Sequence, residues 1–94
     1  MDIKIRVAVV GCGLIGFRRA REAYLHPDTD LKYVVDLLPQ RSRKISDEFC
    51  CQSLPQWEQV IEDPSIDLVV VSTPNSQLAE IGIAALTAGK HVLV

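Results

Sequence analysis

The sequence predicts an α/β fold, a doubly wound parallel sheet with helices on both faces. Three observations predict it. Short β-rich runs alternate with stretches of helical period along all 94 residues. The run Val7-Ala8-Val9-Val10 is apolar at every position, as a strand covered on both faces is. A glycine-rich turn, Gly11 to Gly16, joins that run to the first helical stretch.

Each element has its own signal. Ile3 to Val10 reads as the first strand. Leu14, Phe17, Ala20 or Arg21, and Tyr24 then recur at helical spacing, until His26-Pro27-Asp28 stops the helix. Leu31 to Val35 is the second strand, ending at Asp36. Pro39 is suited to a helix's first turn, and Arg41 to Phe49 carries Ile45 and Phe49 four apart. Gln52-Ser53-Leu54 reads as a short third strand, and Gln56 to Glu62 as a short helix with Trp57, Val60 and Ile61 on one side. Ile66 to Val71 is the strongest strand, with β-branched Ile66, Val69, Val70 and Val71. Thr73-Pro74-Asn75-Ser76 forms a turn and cap cluster. Leu78, Ile81, Gly82, Ala85 and Leu86 follow at helical spacing, closed by Gly89 as a left-handed cap. His91 to Val94 is the last strand. Right-handed crossovers between these strands give the sheet order 3-2-1-4-5.

Composition narrows the class. At 48% hydrophobic and 23% charged, the chain has enough apolar material to fold, and no apolar run approaches a membrane span of ~18 residues. Val7 to Val10 is too short for a signal peptide. Three cysteines cannot build a disulfide scaffold and read as reduced thiols of a cytoplasmic protein. Net charge is −2, and the one basic cluster, Arg18, Arg19 and Arg21, is followed by Glu22. That is a solvated helix face, so neither nucleic acid nor membrane is expected as a partner. The chain reads as one domain, 1–94, beginning at Met1 and ending inside an apolar run. It is expected to be an incomplete N-terminal piece of a larger two-domain protein.

Gly11-Cys12-Gly13-Leu14-Ile15-Gly16 is G-x-G-x-x-G, after a strand and opening a helix, with Asp36 at the end of the second strand. This is the Rossmann-type context. Gly11 allows the tight turn, Gly13 lets backbone approach a pyrophosphate, and Gly16 lets the helix lie close to the sheet. The helix N-terminus offers free N–H groups to the phosphates, and Asp36 would accept hydrogen bonds from the adenosine ribose. The turn alone also fits a flavin or S-adenosylmethionine site, or a turn that binds nothing. Asp36 would repel a 2′-phosphate, so NAD is expected ahead of NADP; Arg41, five residues on, could reach such a phosphate. Ser72, Thr73, Pro74 and Asn75 stand at the carboxyl end of the fourth strand, where ligands of open α/β sheets bind. Asn75 or Ser76 also suits a plain N-cap. His26 and His91 have no metal-ligand spacing, and no Ser/His/Asp or Cys/His set can be assembled. No metal ligand and no catalytic residue is therefore expected within the chain. Cys12, inside the glycine turn, fills a place for a small residue and does not read as a nucleophile.

VAVVGCGLIG, the strand end VVD, and IDLVVVSTPNSQLAEIGIAALTAGKHVLV, with their spacing, resemble the glucose–fructose oxidoreductase / inositol dehydrogenase (Gfo/Idh/MocA) family over residues 3–94. The resemblance implies an N-terminal Rossmann domain and an absent C-terminal domain that carries substrate and oligomer contacts. It implies hydride transfer between a nicotinamide cofactor and a hydroxyl carbon of a sugar, inositol or related polyol, in a homo-oligomer. The family's cofactor contacts carry over to Gly11, Gly13, Leu14, Ile15, Gly16, Asp36, Thr73, Pro74 and Asn75, and more loosely to Arg41 and Ser72. The family's catalytic lysine follows the HVL segment in a Glu-Lys-Pro tripeptide; Lys90 precedes that segment and is not it. Leu78 stands where the family often has a histidine. This departure admits an alternative, a non-catalytic NAD-binding regulatory protein.

Overall fold

A computed structural model describes residues 3–94, apart from the side chain of Asn75. Met1, read as the start, lies outside the described residues. Five strands, β1 (Ile5–Val10), β2 (Thr29–Val35), β3 (Gln52–Leu54), β4 (Leu68–Val71) and β5 (His91–Leu93), alternate with four helices. The helices are α1 (Leu14–Leu25), α2 (Pro39–Phe49), α3 (Glu58–Glu62) and α4 (Asn75–Thr87). All strand pairs are parallel, in the order β3-β2-β1-β4-β5 that the sequence predicts.

The two apolar faces of the central strands divide the core. Val7, Val9 and Val70 face Ala20 of α1 and Ile45 and Phe49 of α2. Ala8, Val10, Val69 and Val71 face Val60 of α3 and Ile81 and Ala85 of α4. Alternate residues of one strand thus serve opposite layers, which is why the strands read as unbroken apolar runs. α2 begins with Pro39 in its first turn, as expected, and α4 ends in a Schellman cap. There the Lys90 N–H donates to the Ala85 carbonyl, the Gly89 N–H donates to Leu86, and Gly89 sits at φ +81°.

Several sequence expectations shift. β4 starts at Leu68, because Ile66, though buried, sits in a turn with its N–H on the Asp63 carbonyl. The short helix begins at Glu58 rather than Gln56. The cap of α4 is Pro74, with no side-chain cap bond, rather than Asn75 or Ser76. Leu14, Tyr24 and Leu86 are exposed instead of facing the sheet. α1 meets the sheet through Gly16 and Ala20, and such close contact along small residues leaves larger neighbours outside it. Tyr24 packs sideways instead, its ring 5.2 Å from that of Phe49.

Candidate functional site

β1 and β4 are sheet neighbours whose following helices, α1 and α4, leave to opposite faces. This is the switch point at which an open α/β sheet forms a crevice beyond its carboxyl ends. A groove of about 820 Å³ lies there. It is lined by Gly11, Gly13, Asp36, Arg41, Ser72, Thr73 and Pro74 among the residues picked out from sequence.

The three glycines of the turn do different work. Gly11 has φ +99°, and a β-carbon there would stand 2.7 Å from the Ser72 carbonyl carbon. Its N–H donates to the Val35 carbonyl at 2.8 Å, which ties the turn to β2. A β-carbon on Gly16 would overlap the Gly11 carbonyl oxygen, so that glycine is required by packing within the protein. Gly13 is unlike both. Its backbone is extended, at φ −73° and ψ −163°, and a β-carbon there would meet nothing within 4 Å. Nothing in the chain's own packing demands glycine at 13.

Asp36 reaches back to this turn. One carboxylate oxygen accepts the Cys12 N–H at 2.7 Å, and the other accepts the Leu38 N–H at 2.8 Å. Cys12 is buried beneath, its thiol donating to the Val35 carbonyl at 3.3 Å. Burial, then the Asp36 charge, push that thiol up to about 12, which leaves it protonated and unreactive at neutral pH. On the far side, the Thr73 hydroxyl is buried with no hydrogen-bond partner among the described residues. An orphaned hydroxyl in a groove wall is the second feature that a polar ligand would satisfy. Together, the open space over Gly13, the N-terminus of α1 and the Thr73 hydroxyl fit a dinucleotide.

Leu14 and Ile15 are exposed in the first turn of α1 and do not line the groove. Gly16 is buried beneath it. Asn75 is the first residue of α4, and its side chain lies outside the described residues. Sequence reasoning missed a further wall, Leu37, Leu38, Pro55, Gln56, Trp57 and Glu58, joined by Ser76 and Gln77 of α4. Position after the carboxyl ends of β2 and β3 is the signal that could have found the first six. No group of three or more His, Cys, Asp or Glu side chains suited to a metal occurs among the described residues.

Comparison with known proteins agrees with this geometry. The model of the Gfo/Idh/MocA oxidoreductase family, described as an NAD-binding Rossmann fold, matches residues 5–94. The chain is 31% identical over 99 aligned positions to the scyllo-inositol 2-dehydrogenase (NAD(+)) of Bacillus subtilis, covering 100% of this chain and 28% of the enzyme. Among solved structures, GenD2 from gentamicin A biosynthesis, in complex with NAD, superposes with a TM-score of 0.92 at 28% identity, covering 98% of this chain and 26% of that one. The biliverdin reductase of Synechocystis sp. PCC 6803, in complex with biliverdin and NADP+, superposes with a TM-score of 0.88 at 35% identity, covering 94% and 28%. The chain spans little more than a quarter of the length of each. With the family model matched across nearly all of its residues, the chain belongs to the Gfo/Idh/MocA oxidoreductase family, over that family's NAD-binding Rossmann fold.

Proposed function

We propose that this chain is the dinucleotide-binding domain of a two-domain oxidoreductase. The whole protein moves hydride between NAD and a hydroxyl-bearing carbon of a sugar, inositol or related polyol, as a cytoplasmic homo-oligomer. The open space over Gly13 carries the reading, because it is the one glycine of the turn whose β-carbon would meet nothing of the chain's own. The relatives named above support the substrate class and the chemistry.

In this reading the pyrophosphate lies against the Gly13 backbone at the N-terminus of α1, where free N–H groups and the helix dipole favour negative charge. Asp36, held by the Cys12 and Leu38 N–H groups, keeps lone pairs for the adenosine ribose hydroxyls. The Thr73 hydroxyl donates to the nicotinamide half, with Ser72, Pro74 and Asn75 beside it. Leu14 and Ile15, whose side chains lie outside the groove, contribute through their backbone N–H groups at the start of α1. The bound cofactor supplies the hydride-accepting ring; this chain binds, orients and shields it. NAD is preferred over NADP because the Asp36 carboxylate repels a 2′-phosphate.

A second reading, a cofactor-responsive protein without catalysis, rests on Leu78. It is half-buried and packs against the core under α4, where the family often has a histidine. Two measurements test the proposal. Calorimetric titration of this chain with NAD should give saturable binding, and the absence of binding would end the reading. Reduced-cofactor absorbance should rise when the whole protein meets NAD and an inositol or sugar panel. Binding without turnover would favour the regulatory reading.

A further inference from the structure

Two hydroxyls that do not line the groove join the elements that do. Ser42, the fourth residue of α2, is 1% exposed, and its Oγ lies 2.7 Å from the Oγ of Ser53, the middle residue of β3. The Ser42 Oγ also stands 3.2 Å from the Pro39 carbonyl oxygen, in the same helical turn. A hydroxyl has one proton to give. Both contacts are made when Ser53 donates to Ser42 and Ser42 donates to Pro39. A buried hydroxyl without partners costs stability, and this chain of two bonds satisfies it. The elements it joins carry opposite walls of the groove. Leu38 and Arg41 line it immediately before Ser42, and Pro55, Gln56 and Trp57 line it immediately after β3. Little else holds the second wall. β3 is three residues long, stands at the edge of the sheet and pairs with β2 alone, and α3 has no side-chain cap.

We propose that Ser42 and Ser53 are positioning residues, whose hydrogen bond sets the separation of the two groove walls and thereby the affinity for the adenosine diphosphate part of the dinucleotide. This rests on the dinucleotide reading above and goes beyond it, by giving control of the groove's width to a pair that lines no part of it. The bond acts on both sides at once. On α2 it fixes the first turn through the Pro39 carbonyl, since a serine hydroxyl that bonds back along a helix shapes the local backbone. On β3 it anchors the residue two before Pro55, where the chain leaves the sheet for the second wall. Without it, the edge strand keeps its ladder to β2 but loses its tie to the helix above, and the walls no longer meet a ligand at a fixed distance.

The experiment titrates the wild-type chain, Ser42→Ala, Ser53→Ala and the double variant with ADP and NAD by calorimetry. Each single variant should lose about threefold to tenfold in affinity for both, the scale of one neutral hydrogen bond. The double variant should lose no more than either single one, because the two residues share the bond. Ser53→Thr and Ser53→Val separate positioning from folding. Both are β-branched and suit a strand, and they differ at one branch, hydroxyl against methyl. Ser53→Thr should keep wild-type affinity and Ser53→Val should lose it. The emission of Trp57, the chain's one tryptophan, should shift in ligand-free Ser53→Val and not in Ser53→Thr. Circular dichroism checks that each variant is folded at the temperature of titration. Unchanged ADP affinity in the folded variants, whatever the emission does, overturns the positioning role and leaves the dinucleotide reading standing. Losses that add in the double variant, or equal losses in Ser53→Thr and Ser53→Val, overturn it as well. Wild-type binding of neither NAD nor ADP overturns both.

Discussion

Lys32 and Tyr33 are consecutive residues of β2, yet their side chains reach the same carboxylate, that of Asp63. The Tyr33 hydroxyl donates to it at 2.6 Å, and the Lys32 ammonium lies 3.4 Å away. Consecutive strand residues ordinarily point to opposite faces. The pairing of β1 with β2 supplies the reason: Val7 partners Leu31 and Ala8 partners Tyr33, so Lys32 is passed over in a bulge. Leu31 and Val34 face one helical layer, and Tyr33 and Val35 the other. The bulge shifts the alternation by one residue, which lets two neighbours converge on the loop that follows α3.

Asp63 should make stability acid-sensitive. Hydrogen bonds from the Ser65 hydroxyl, the Tyr33 hydroxyl and the Ser65 N–H hold its carboxyl well below the ordinary aspartate range. A folded pKa below the unfolded one means the contribution is complete above the unfolded value of about 4 and fades as pH falls toward the folded one. Asp63→Asn should lower stability at pH 7 by about 1–2 kcal/mol. It should also flatten the acid limb of a urea-denaturation series from pH 6 to pH 2. Parallel acid limbs in the two proteins would remove Asp63 from the acid response.

Much of the frame was legible before the structure. The central strands announce burial on both faces, and Gly89 followed by an apolar run announces a helix end. Legibility failed where tertiary geometry overrides period. No residue at Lys32 marks the bulge, because the extra residue is defined by its partner strand. Leu86 continues the 3.6-residue pattern of α4, yet it is exposed. At the site, Gly13 and Asp36 were visible because they keep a fixed spacing within one β-α-β unit. Trp57 and Gln56 were not, since they come to the groove only through the placement of β3 beside β2.

Lys90, read only as distinct from the family's lysine, turns out to be a buried clamp. It is 7% exposed, and its ammonium donates to the carbonyls of Asp63 at 2.7 Å and Ile66 at 3.0 Å. It thereby ties the start of β5 to the turn entering β4. Lys90→Met keeps most of the stem and strands both carbonyls, at a cost of about 1–3 kcal/mol for buried groups left without a donor. Urea denaturation with unchanged m-value should show that loss. A variant as stable as wild type would mean that other donors, or water, satisfy these carbonyls.

The three cysteines should differ sharply toward iodoacetamide. Cys50 is exposed. Cys51 is half-buried and pushed up to about 11 by burial and then by its neighbour Cys50. Cys12 is buried and higher still, at about 12. Only thiolate reacts, so peptide mass spectrometry of the native chain at pH 8 should find Cys50 modified first and Cys12 last. Early modification of Cys12 would show that the glycine turn opens far more readily than its hydrogen bonds indicate.

Gly16 and Gly13 offer the sharpest separation of fold from function. A β-carbon at 16 overlaps the Gly11 carbonyl oxygen, which belongs to backbone already pinned by the Gly11 N–H on Val35. That carbonyl cannot yield without pulling the turn off β2. Gly16→Ala should therefore lose about 1–3 kcal/mol of stability or more, the usual penalty of overpacking. Gly13→Ala meets open space and an ordinary extended backbone, so its stability should stay within about 1 kcal/mol of wild type, the cost of alanine at the N-cap of α1. The added methyl group would occupy the surface on which the pyrophosphate is proposed to lie. Calorimetry should show NAD binding weakened by about tenfold or more in this stable variant, as expected when one methyl group blocks close backbone approach. Unaltered NAD affinity in Gly13→Ala, with the fold intact, would place the pyrophosphate elsewhere than over the glycine turn.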